Sequence, residues 1–225
     1  MSLAILVPVL RRPHRVRPLL ASIRETTPDP YRVIFICDTD DDEEIEACID
    51  HLGSGHVEVM LVKAPYARKI NEAVRQTTEP LLLFAADDLK FHESWLENAK
   101  AMMSDAIGVV ATNDLYQLRN QAGELATHPL VARWYAESPT IDKSPGPLCE
   151  LYPHEYLDRE FSEVARSRKA FAYAMTSIVE HLHPNAGKAP MDDIYAKQRA
   201  RMRKGFVIYR RRRQLWLRDL QRASR

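Results

Sequence analysis

Hydrophobic and polar residues follow a regular order along the first half of the chain. Short runs that are apolar throughout alternate with segments in which apolar residues recur at helical spacing. The runs predict strands at residues 3–10, 32–37, 57–63, 81–84 and 108–111, and the segments predict helices at residues 16–25, 42–52, 67–76 and 94–103. Because strands that are apolar throughout are buried on both faces, this order predicts an α/β fold. Its mostly parallel sheet would be covered by helices on both sides.

The second half of the chain has a less regular pattern. Residues 112–150 contain many turn-forming residues, which predict loops around short elements. A helix is predicted at residues 156–168 and a strand at residues 174–180. Residues 192–225 have a helical pattern with a break near Gly205.

The composition is that of an ordinary globular protein, with 45% hydrophobic residues and 32 basic residues against 31 acidic ones. Residues 38–50 are acidic and residues 197–225 are strongly basic. The three cysteines are too few and too scattered for a disulfide framework or a zinc knuckle, and they fit a reducing cytosol. The N-terminal apolar run lacks a preceding basic segment, and no later run is long enough to span a bilayer. We therefore expect a cytoplasmic protein, in a bacterium or a phage-infected host.

Two adjacent acids, Asp87 and Asp88, follow the buried strand at residues 81–84. Ligands bind at the carboxyl ends of strands in open α/β sheets, where a cation can compensate such carboxylates. Hard oxygen donors suit Mg²⁺ or Mn²⁺ carrying a diphosphate. The alternative is a helix N-cap, because a helical pattern begins soon afterwards.

The ends of the first, second and fourth strands should share one edge of the sheet. That edge would carry Arg11 and Arg12, then Asp38, then Asp87 and Asp88. The turn after the first strand contains no glycine, which argues against an ordinary dinucleotide-binding fold and against a P-loop.

Several segments, taken in order, resemble glycosyltransferases of family 2, which have the GT-A fold. The matching segments are Val7-Pro8-Val9 with its basic turn, the strand ending on Asp38, the Ala/Arg/Asn stretch at 67–73, the x-Asp-Asp form of the Asp-x-Asp motif at 84–88, Trp95-Leu96, the acid-rich helix start at 156–161 and the late strand ending on His181. The similarity covers residues 3–185. Motifs at 112–114, 127–128 and 180–184 also resemble a subgroup found in actinobacteria and their phages.

This resemblance implies a GT-A nucleotide-diphospho-sugar transferase domain at residues 1–190. Residues 1–111 would form its nucleotide-binding half and residues 112–190 its acceptor and catalytic half, with a basic helical extension at 191–225. The implied reaction is metal-dependent transfer of a sugar, with inversion, from a nucleoside-diphosphate sugar to a hydroxyl group. The donor in this family is most often UDP-linked.

The resemblance also implies a metal site for Mn²⁺ or Mg²⁺. Asp88 would be the principal ligand and His181 a ligand from the opposite side, with His183 as the alternative histidine. Asp87 would bind the ribose or join the metal shell through water. The residues alone also allow both histidines to be ordinary strand-end residues. The family's first motif acid is replaced here by Ala86, so Asp87 and Asp88 must share its work.

The nucleotide would lie against the ends of the first two strands. The resemblance places Pro8 and Arg11 beside it, with Arg12 as an alternative, and has Asp38 accept a hydrogen bond from the uracil or ribose. Lys69 and Asn71 are two residues apart on a helix, so only one of them should face the site. The resemblance favours Asn71.

Asp158 is the expected general base, with Glu155 and Glu160 as alternatives. The family's Glu-Asp pair is here Leu157-Asp158, which leaves that assignment open. Trp134 and Tyr135 lie in the variable region, where an acceptor could stack on an aromatic ring.

The basic tail has three interpretations. It could lie on an anionic membrane surface, bind nucleic acid phosphates, or pack on the body or on a second subunit with its arginines solvated. The acceptor, whether phage DNA, a virion protein or a glycan, stays open. Two rival functions are a sugar nucleotidyltransferase and a nucleic-acid-binding protein on a degenerate GT-A fold.

Overall fold

The computed structural model describes residues 2–54, 56–218 and 221. Its strands are β1 (Leu3–Pro8), β2 (Tyr31–Cys37), β3 (Val57–Leu61), β4 (Leu81–Phe84), β5 (Leu89–Phe91), β6 (Val109–Asn113), β7 (Pro129–Ala132) and β8 (Phe171–His181). Its helices are α1 (Val16–Thr26), α2 (Asp42–Ile49), α3 (Tyr66–Gln76), α4 (Trp95–Lys100), α5 (Leu118–Gln121), α6 (Arg133–Ala136), α7 (Leu157–Ser167), α8 (Asp193–Ala196) and α9 (Gln198–Arg212).

The strands of the described residues form one sheet in the order β3-β2-β1-β4-β7-β6-β8-β5. Strands β3, β2, β1 and β4 are parallel neighbours, and β6 and β8 are also parallel to each other. Strand β7 runs antiparallel to both β4 and β6, and β5 runs antiparallel to β8. The predicted mostly parallel sheet of the GT-A fold is therefore confirmed.

The core lies on both faces of this sheet. Leu3, Ile5 and Val7 of β1 pack in one cluster with apolar residues of α1 and α4. The alternate residues Ala4 and Leu6 pack in a second cluster with residues of α3 and α7. A strand buried on both faces has no polar positions, which explains the continuous apolar runs in the sequence.

The residues directly after Asp88 form strand β5, and not the start of a helix. Leu89 and Phe91 are buried while Lys90 is exposed, and the segment pairs with the end of β8. Helix α4 begins only at Trp95, after Ser94 at its N-cap. Asp87 and Asp88 therefore do not cap that helix.

The tail departs from its expected shape in one respect: α9 runs through Gly205 without a break. The interruption lies instead between α8 and α9, at Lys197. A Cβ atom at position 205 would overlap the backbone oxygen of Glu155. Glycine at this position thus lets α9 approach the loop that precedes α7.

The tail packs on α7 through buried polar contacts. Arg212 places Nη2 at 2.7 Å and Nε at 2.8 Å from the carboxylate of Glu160. Glu163 accepts hydrogen bonds from the Tyr209 hydroxyl at 2.6 Å and from Trp216 Nε1 at 3.0 Å. Trp216 is fully buried. Of the three interpretations of the tail, these contacts support packing on the body, but Arg212 is buried in an ion pair and not solvated. Within the described ranges, every helix is too short or too polar to cross a membrane.

Gly205→Ala should lower the melting temperature, although alanine is the better helix former. Overpacking against the Glu155 backbone costs about 1–3 kcal/mol, which exceeds the roughly 0.5–1 kcal/mol that alanine gains in a helix. The expected drop is roughly 2–4 °C per kcal/mol of net loss, measured by differential scanning calorimetry. Gly53→Ala is the control, because its Cβ would meet no atom within 4 Å. Equal melting temperatures for the two variants would contradict the close approach.

Candidate active site

The strand directions bring distant polar residues to one edge of the sheet. Strands β2, β4, β6 and β8 all end there, which places Asp38, Asp87, Asp114 and His181 along that edge. Strand β7 runs the other way, so His128, which lies directly before it, comes to the same edge. This arrangement is the usual position for a ligand site in an α/β sheet.

Asp88 is the most strongly engaged carboxylate at this edge, and it is only 6% exposed. Its Oδ2 accepts a hydrogen bond from the Tyr195 hydroxyl at 2.5 Å, lies 3.2 Å from His181 Nε2 and lies 3.5 Å from Arg15 Nη1. Burial alone would raise the pKa of Asp88, but the charge and hydrogen bond of His181 and the Tyr195 hydroxyl outweigh it and lower that pKa well below its usual range. Asp88 is therefore the ionised member of the acidic pair.

Asp87 is held by Arg12, whose Nη1 lies 3.1 Å from Asp87 Oδ1. Burial and the neighbouring charge of Asp88 raise the pKa of Asp87, and Arg12 only partly offsets them. When two buried carboxylates are adjacent, ionisation of one makes ionisation of the other less favourable. A bound divalent cation would favour ionisation of both.

The two histidines at the end of β8 have different surroundings. His181 faces Asp88 with Nε2, and its buried Nδ1 has no hydrogen-bond partner among the described residues. His183 accepts a hydrogen bond at Nδ1 from the backbone of Asn185 at 3.1 Å, and its ring stacks on Tyr116 with centroids 4.7 Å apart. His181 is thus the histidine that directly contacts the acidic pair.

The sequence interpretation assigned no role to His128, a further buried histidine. Both ring nitrogens of His128 are buried without partners in the described part of the chain, and the ring lies 5.2 Å from that of His181. Burial and the charge of His181 lower the pKa of His128 to about 3. His154, which is exposed, packs edge-on against Tyr66. His128 therefore stays neutral at physiological pH and can act as an acceptor or a ligand.

The side chains present fit a divalent cation. Asp88 Oδ1 is buried without a hydrogen-bond partner among the described residues, as are His181 Nδ1 and both His128 nitrogens. A free carboxylate oxygen and the neutral imidazole of His128 are donors that Mn²⁺ accepts. Burial lowers the pKa of His181, but the charge and hydrogen bond of Asp88 outweigh it and raise that pKa, so His181 would release a proton on binding the cation. No group of three or more such side chains is already arranged as a metal site in the described ranges. The protein would therefore supply few ligands and leave positions for phosphate oxygens and water.

Lys69, and not Asn71, faces the strand ends. Lys69 is 3% exposed, and its Nζ lies 2.7 Å from Asp38 Oδ1 and donates to the Val9 carbonyl at 2.9 Å. Asn71 instead donates to the Leu148 carbonyl at 2.8 Å and accepts from the Leu148 backbone at 3.1 Å. These contacts make Asn71 an anchor of the loop before α7. Lys69 is therefore the α3 residue at this edge of the sheet, and Asn71 lies against the loop before α7.

In the turn after β1, Arg11 is exposed to solvent, whereas Arg12 and Arg15 are buried in the site. Arg11 has a left-handed backbone with φ of 52°, its side chain is exposed, and its amide donates to Asp41 at 2.7 Å. Arg12 is buried against Asp87, and Arg15, which the sequence interpretation did not assign, reaches Asp88. Arg12 and Arg15 are thus the cations of the site, while Arg11 and the neighbouring Pro8 border it.

Asp158 lies in the first turn of α7 with one oxygen, Oδ1, accepting the Arg159 amide at 2.8 Å. Burial, with the nearby charge of Glu155, raises its pKa to about 6. The hydroxyl of Tyr66 has a raised pKa because of burial and the charges of both Asp158 and Asp88, so both carboxylates lie near that hydroxyl.

The two alternative bases are engaged elsewhere. Glu155 pairs with Arg201 at 3.0 Å, and Glu160 pairs with Arg212 and accepts from Tyr152. Asp158 has no ion-pair partner among the residues that the structure describes. It is therefore the acid of α7 that is free to take a proton.

Trp134 and Tyr135 lie at the wrong edge of the sheet for a role in this site. Ala132, directly before α6, pairs with Leu81 at the start of β4, whereas Asp87 and Asp88 follow the end of β4. Arg133 confirms this position, because its amide donates to the Pro80 carbonyl. Neither ring therefore lies beside the acidic pair, and stacking of an acceptor on them stays a prediction.

Solved structures with this fold have been determined with nucleotides and metal. A mannosyltransferase from Pyrobaculum calidifontis in complex with GDP-Man and Mn²⁺ superposes with a TM-score of 0.65 at 14% identity, over 93% of this chain and 64% of that one. Glucosyl-3-phosphoglycerate synthase from Mycobacterium tuberculosis, in complex with Mn²⁺, UDP and glucosyl-3-phosphoglycerate, gives 0.62 at 14% identity, over 90% and 78%. TarS 1–349 from S. aureus, in complex with UDP, gives 0.63 at 13% identity, over 80% of this chain and 59% of that one.

The sequence itself gives the family. No curated protein has a sequence that matches this chain. The model of "Glycosyl transferase family 2" matches residues 4–153, well over half of the chain, and its range includes β1, the Asp38 strand end and the Asp87-Asp88 pair. The chain belongs to glycosyl transferase family 2.

Proposed function

We propose that this protein is an inverting, metal-dependent glycosyltransferase that moves a sugar from a nucleoside-diphosphate sugar, with a UDP-sugar as the expected donor, to a hydroxyl acceptor. The observation that carries this proposal is that a candidate metal-binding acid and a candidate base, Asp88 and Asp158, both lie near the Tyr66 hydroxyl. Asp88 has a free buried oxygen beside His181, and Asp158 has no cation to neutralise it among the described residues. Family membership and the nucleotide complexes of structures with the same fold support the choice of donor.

The edge of the sheet around Asp88 would hold the diphosphate. Asp88 and His181 would bind the cation, with His183 or His128 as a further nitrogen donor. A bound Mn²⁺ or Mg²⁺ would neutralise the charge that develops on the leaving diphosphate. Arg12 and Arg15 would bind phosphate oxygens, since guanidinium groups bind them in paired hydrogen bonds. Asp38, held by Lys69, would orient the nucleoside.

The first turn of α7 would supply the general base, Asp158, beside the acceptor. Its unpaired oxygen would take the proton of the acceptor hydroxyl while the hydroxyl oxygen attacks the anomeric carbon from the side opposite the diphosphate. Attack from that side inverts the anomeric configuration. A pKa of about 6 leaves Asp158 ionised at neutral pH and more basic than an ordinary aspartate.

A thermal-shift screen of nucleotide sugars, each with and without Mn²⁺, tests the donor class. A bound ligand stabilises the folded state to an extent set by its concentration relative to its dissociation constant, so the donor should raise the melting temperature only with the metal present. A chain that binds DNA with a steep salt dependence and no nucleotide would instead support the degenerate binding protein. A nucleotidyltransferase would release pyrophosphate from a nucleoside triphosphate and a sugar phosphate.

The rate of transfer should fall in acid because Asp158 must be deprotonated to act. Asp158 has a pKa of about 6, so kcat should be highest above that pH. It should decrease about tenfold per pH unit well below it. The profile should be measured at saturating donor and Mn²⁺, so that protonation of the metal-site carboxylates does not contribute. A kcat that stays constant down to a pH of about 4.5 would contradict the assignment of Asp158 as the base.

The cellular setting, the subgroup, the domain division and the acceptor are the remaining parts of the proposal. A cytosolic setting agrees with the three free cysteines, and the placement in an actinobacterial or phage subgroup, the division at residues 111 and 190 and the acceptor stay predictions. The outer face of α9 is available for a partner, either an anionic surface or a second copy of the chain. Its exposed residues include Met202, Arg203, Lys204, Phe206, Val207, Arg210 and Arg211.

A further inference from the structure

One segment of the tail lies on the charged residues of the site. This closing segment consists of Asp192 and helix α8, which ends at Ala196. Asp192 caps that single helical turn by accepting the backbone amides of Ile194 and Tyr195 at 3.0 Å. The cap aligns its two functional side chains, Asp192 and Tyr195, toward the site.

Asp192 occupies the guanidinium groups of the site. Its Oδ2 lies 2.9 Å from Arg12 Nε, and its Oδ1 lies 3.1 Å from Arg12 Nη2. The same carboxylate is 3.9 Å from Arg15 Nη2. Two oxygens on one guanidinium edge are the arrangement that a phosphate group adopts with arginine.

Tyr195 occupies the acidic side of the site. Its hydroxyl donates to Asp88 Oδ2 at 2.5 Å and lies 3.2 Å from Arg15 Nη1. Its ring lies under the guanidinium of Arg12, 4.2 Å from ring centroid to Cζ. Tyr195 thus contacts the carboxylate that would bind the cation and the arginine that would bind a phosphate.

The closing segment is less buried than the helix that follows it. None of the residues of α8 is buried, and Asp193 and Ala196 are exposed. Helix α9 and the turn after it are instead fixed by the buried Tyr209 and Trp216. The segment can therefore leave the site while α9 stays in place.

We propose that the closing segment is autoinhibitory: Asp192 occupies the phosphate position on Arg12 and Arg15, and the Tyr195 hydroxyl holds Oδ2 of Asp88 and leaves only Oδ1 free for a cation. A metal-bound diphosphate must therefore displace Asp192 and compete with Tyr195 for Asp88. This proposal rests on the proposed function of the same site. Charge supports it, because removal of Asp192 leaves two buried arginines that another anion would compensate. The segment would open when the donor binds and close again after the nucleotide leaves.

The test measures binding of Mn²⁺-pyrophosphate and of Mn²⁺-UDP by isothermal titration calorimetry to the full chain and three variants. Asp192→Asn keeps the helix cap but removes the charge, and Tyr195→Phe keeps the ring but removes the hydroxyl. Each should bind both ligands about tenfold more tightly, as expected if the wild-type segment is closed roughly nine-tenths of the time. Asp193→Asn, an exposed neighbour, is the matched control and should bind like wild type.

Hydrogen exchange gives a second readout that does not depend on affinity. Amides of residues 193–197 should exchange faster when Mn²⁺-pyrophosphate is bound, while those of α9 should not change. Unchanged or weaker binding by Asp192→Asn and Tyr195→Phe would overturn the proposal and make the segment a part of the donor site. Tighter Mn²⁺-pyrophosphate binding without any sugar transfer would uphold the closing segment and refute the transferase function. Sugar transfer by the wild type, with unchanged Mn²⁺-pyrophosphate affinities in the variants, would uphold the transferase function and refute the autoinhibitory role of the closing segment.

Discussion

Replacing Asp158 by asparagine should abolish sugar transfer and leave donor binding intact. The substitution keeps the shape and the acceptor oxygen that contacts the Arg159 amide, but it removes the only carboxylate of α7 without a cation in the described residues. Loss of a general base lowers kcat by about 10²–10⁴-fold. The measurement is nucleotide release under saturating donor, together with the dissociation constant of Mn²⁺-UDP.

Glu155→Gln is the control for this experiment, because Glu155 is the alternative base that lies just before α7. Its carboxylate is paired with Arg201, so its removal should change kcat by no more than a few-fold. An Asp158→Asn variant that turns over at the wild-type rate would remove Asp158 from the mechanism. A large loss in Glu155→Gln with normal folding would transfer the role to Glu155.

Replacing Asp88 by asparagine should abolish the dependence of nucleotide binding on Mn²⁺. Asparagine preserves the hydrogen-bonding shape, but a neutral amide is a far poorer ligand for a hard divalent cation than a carboxylate. We expect the affinity for UDP in the presence of Mn²⁺ to fall to the value measured without metal. Calorimetric titration with UDP, with and without Mn²⁺, measures both.

Asp40→Asn serves as the control, because Asp40 is an exposed aspartate that pairs with Lys63. It should retain the full metal effect. If Asp88→Asn also retained it, the cation would have to be held by other residues. The proposed donor site would then be wrong in its central element.

The parallel half of the sheet could be predicted from sequence because its strands are buried on both faces. The end of β4 at Phe84 agrees with the apolar run, and the ends of β1 and β2 fall within two residues of the predicted positions. Strands β5 and β7 could not be found this way. Strand β5 has three residues, and β7 begins with Pro129, which reads as a turn former but is tolerated at the first position of a strand.

The site could be predicted only where residues follow a recognisable strand or motif. Asp87, Asp88 and His181 lie at one edge of the sheet because each comes at or just after the end of a strand, and His181 contacts Asp88 there. The choice between Lys69 and Asn71 depended on how α3 is rotated against the sheet, which helical spacing alone does not give. Tyr195 contacts Asp88 across 107 residues of sequence, and no local pattern encodes such a contact. His128 was missed because the strand after it was missed.

The buried carboxylates of α7 set a limit on how the protein can be produced. Glu160 and Glu163 lie on the same helix as Asp158, and three of their donors, Tyr209, Arg212 and Trp216, come from the last part of the chain. An expression boundary at residue 190 would remove these partners and uncover the apolar face of α7 that Tyr209 and Trp216 help to cover. Removing one partner of a buried ion pair costs about 3–5 kcal/mol, which is a large part of a typical domain's stability. A minimal soluble fragment should therefore extend beyond Trp216, and fusion partners are better placed at the N-terminus.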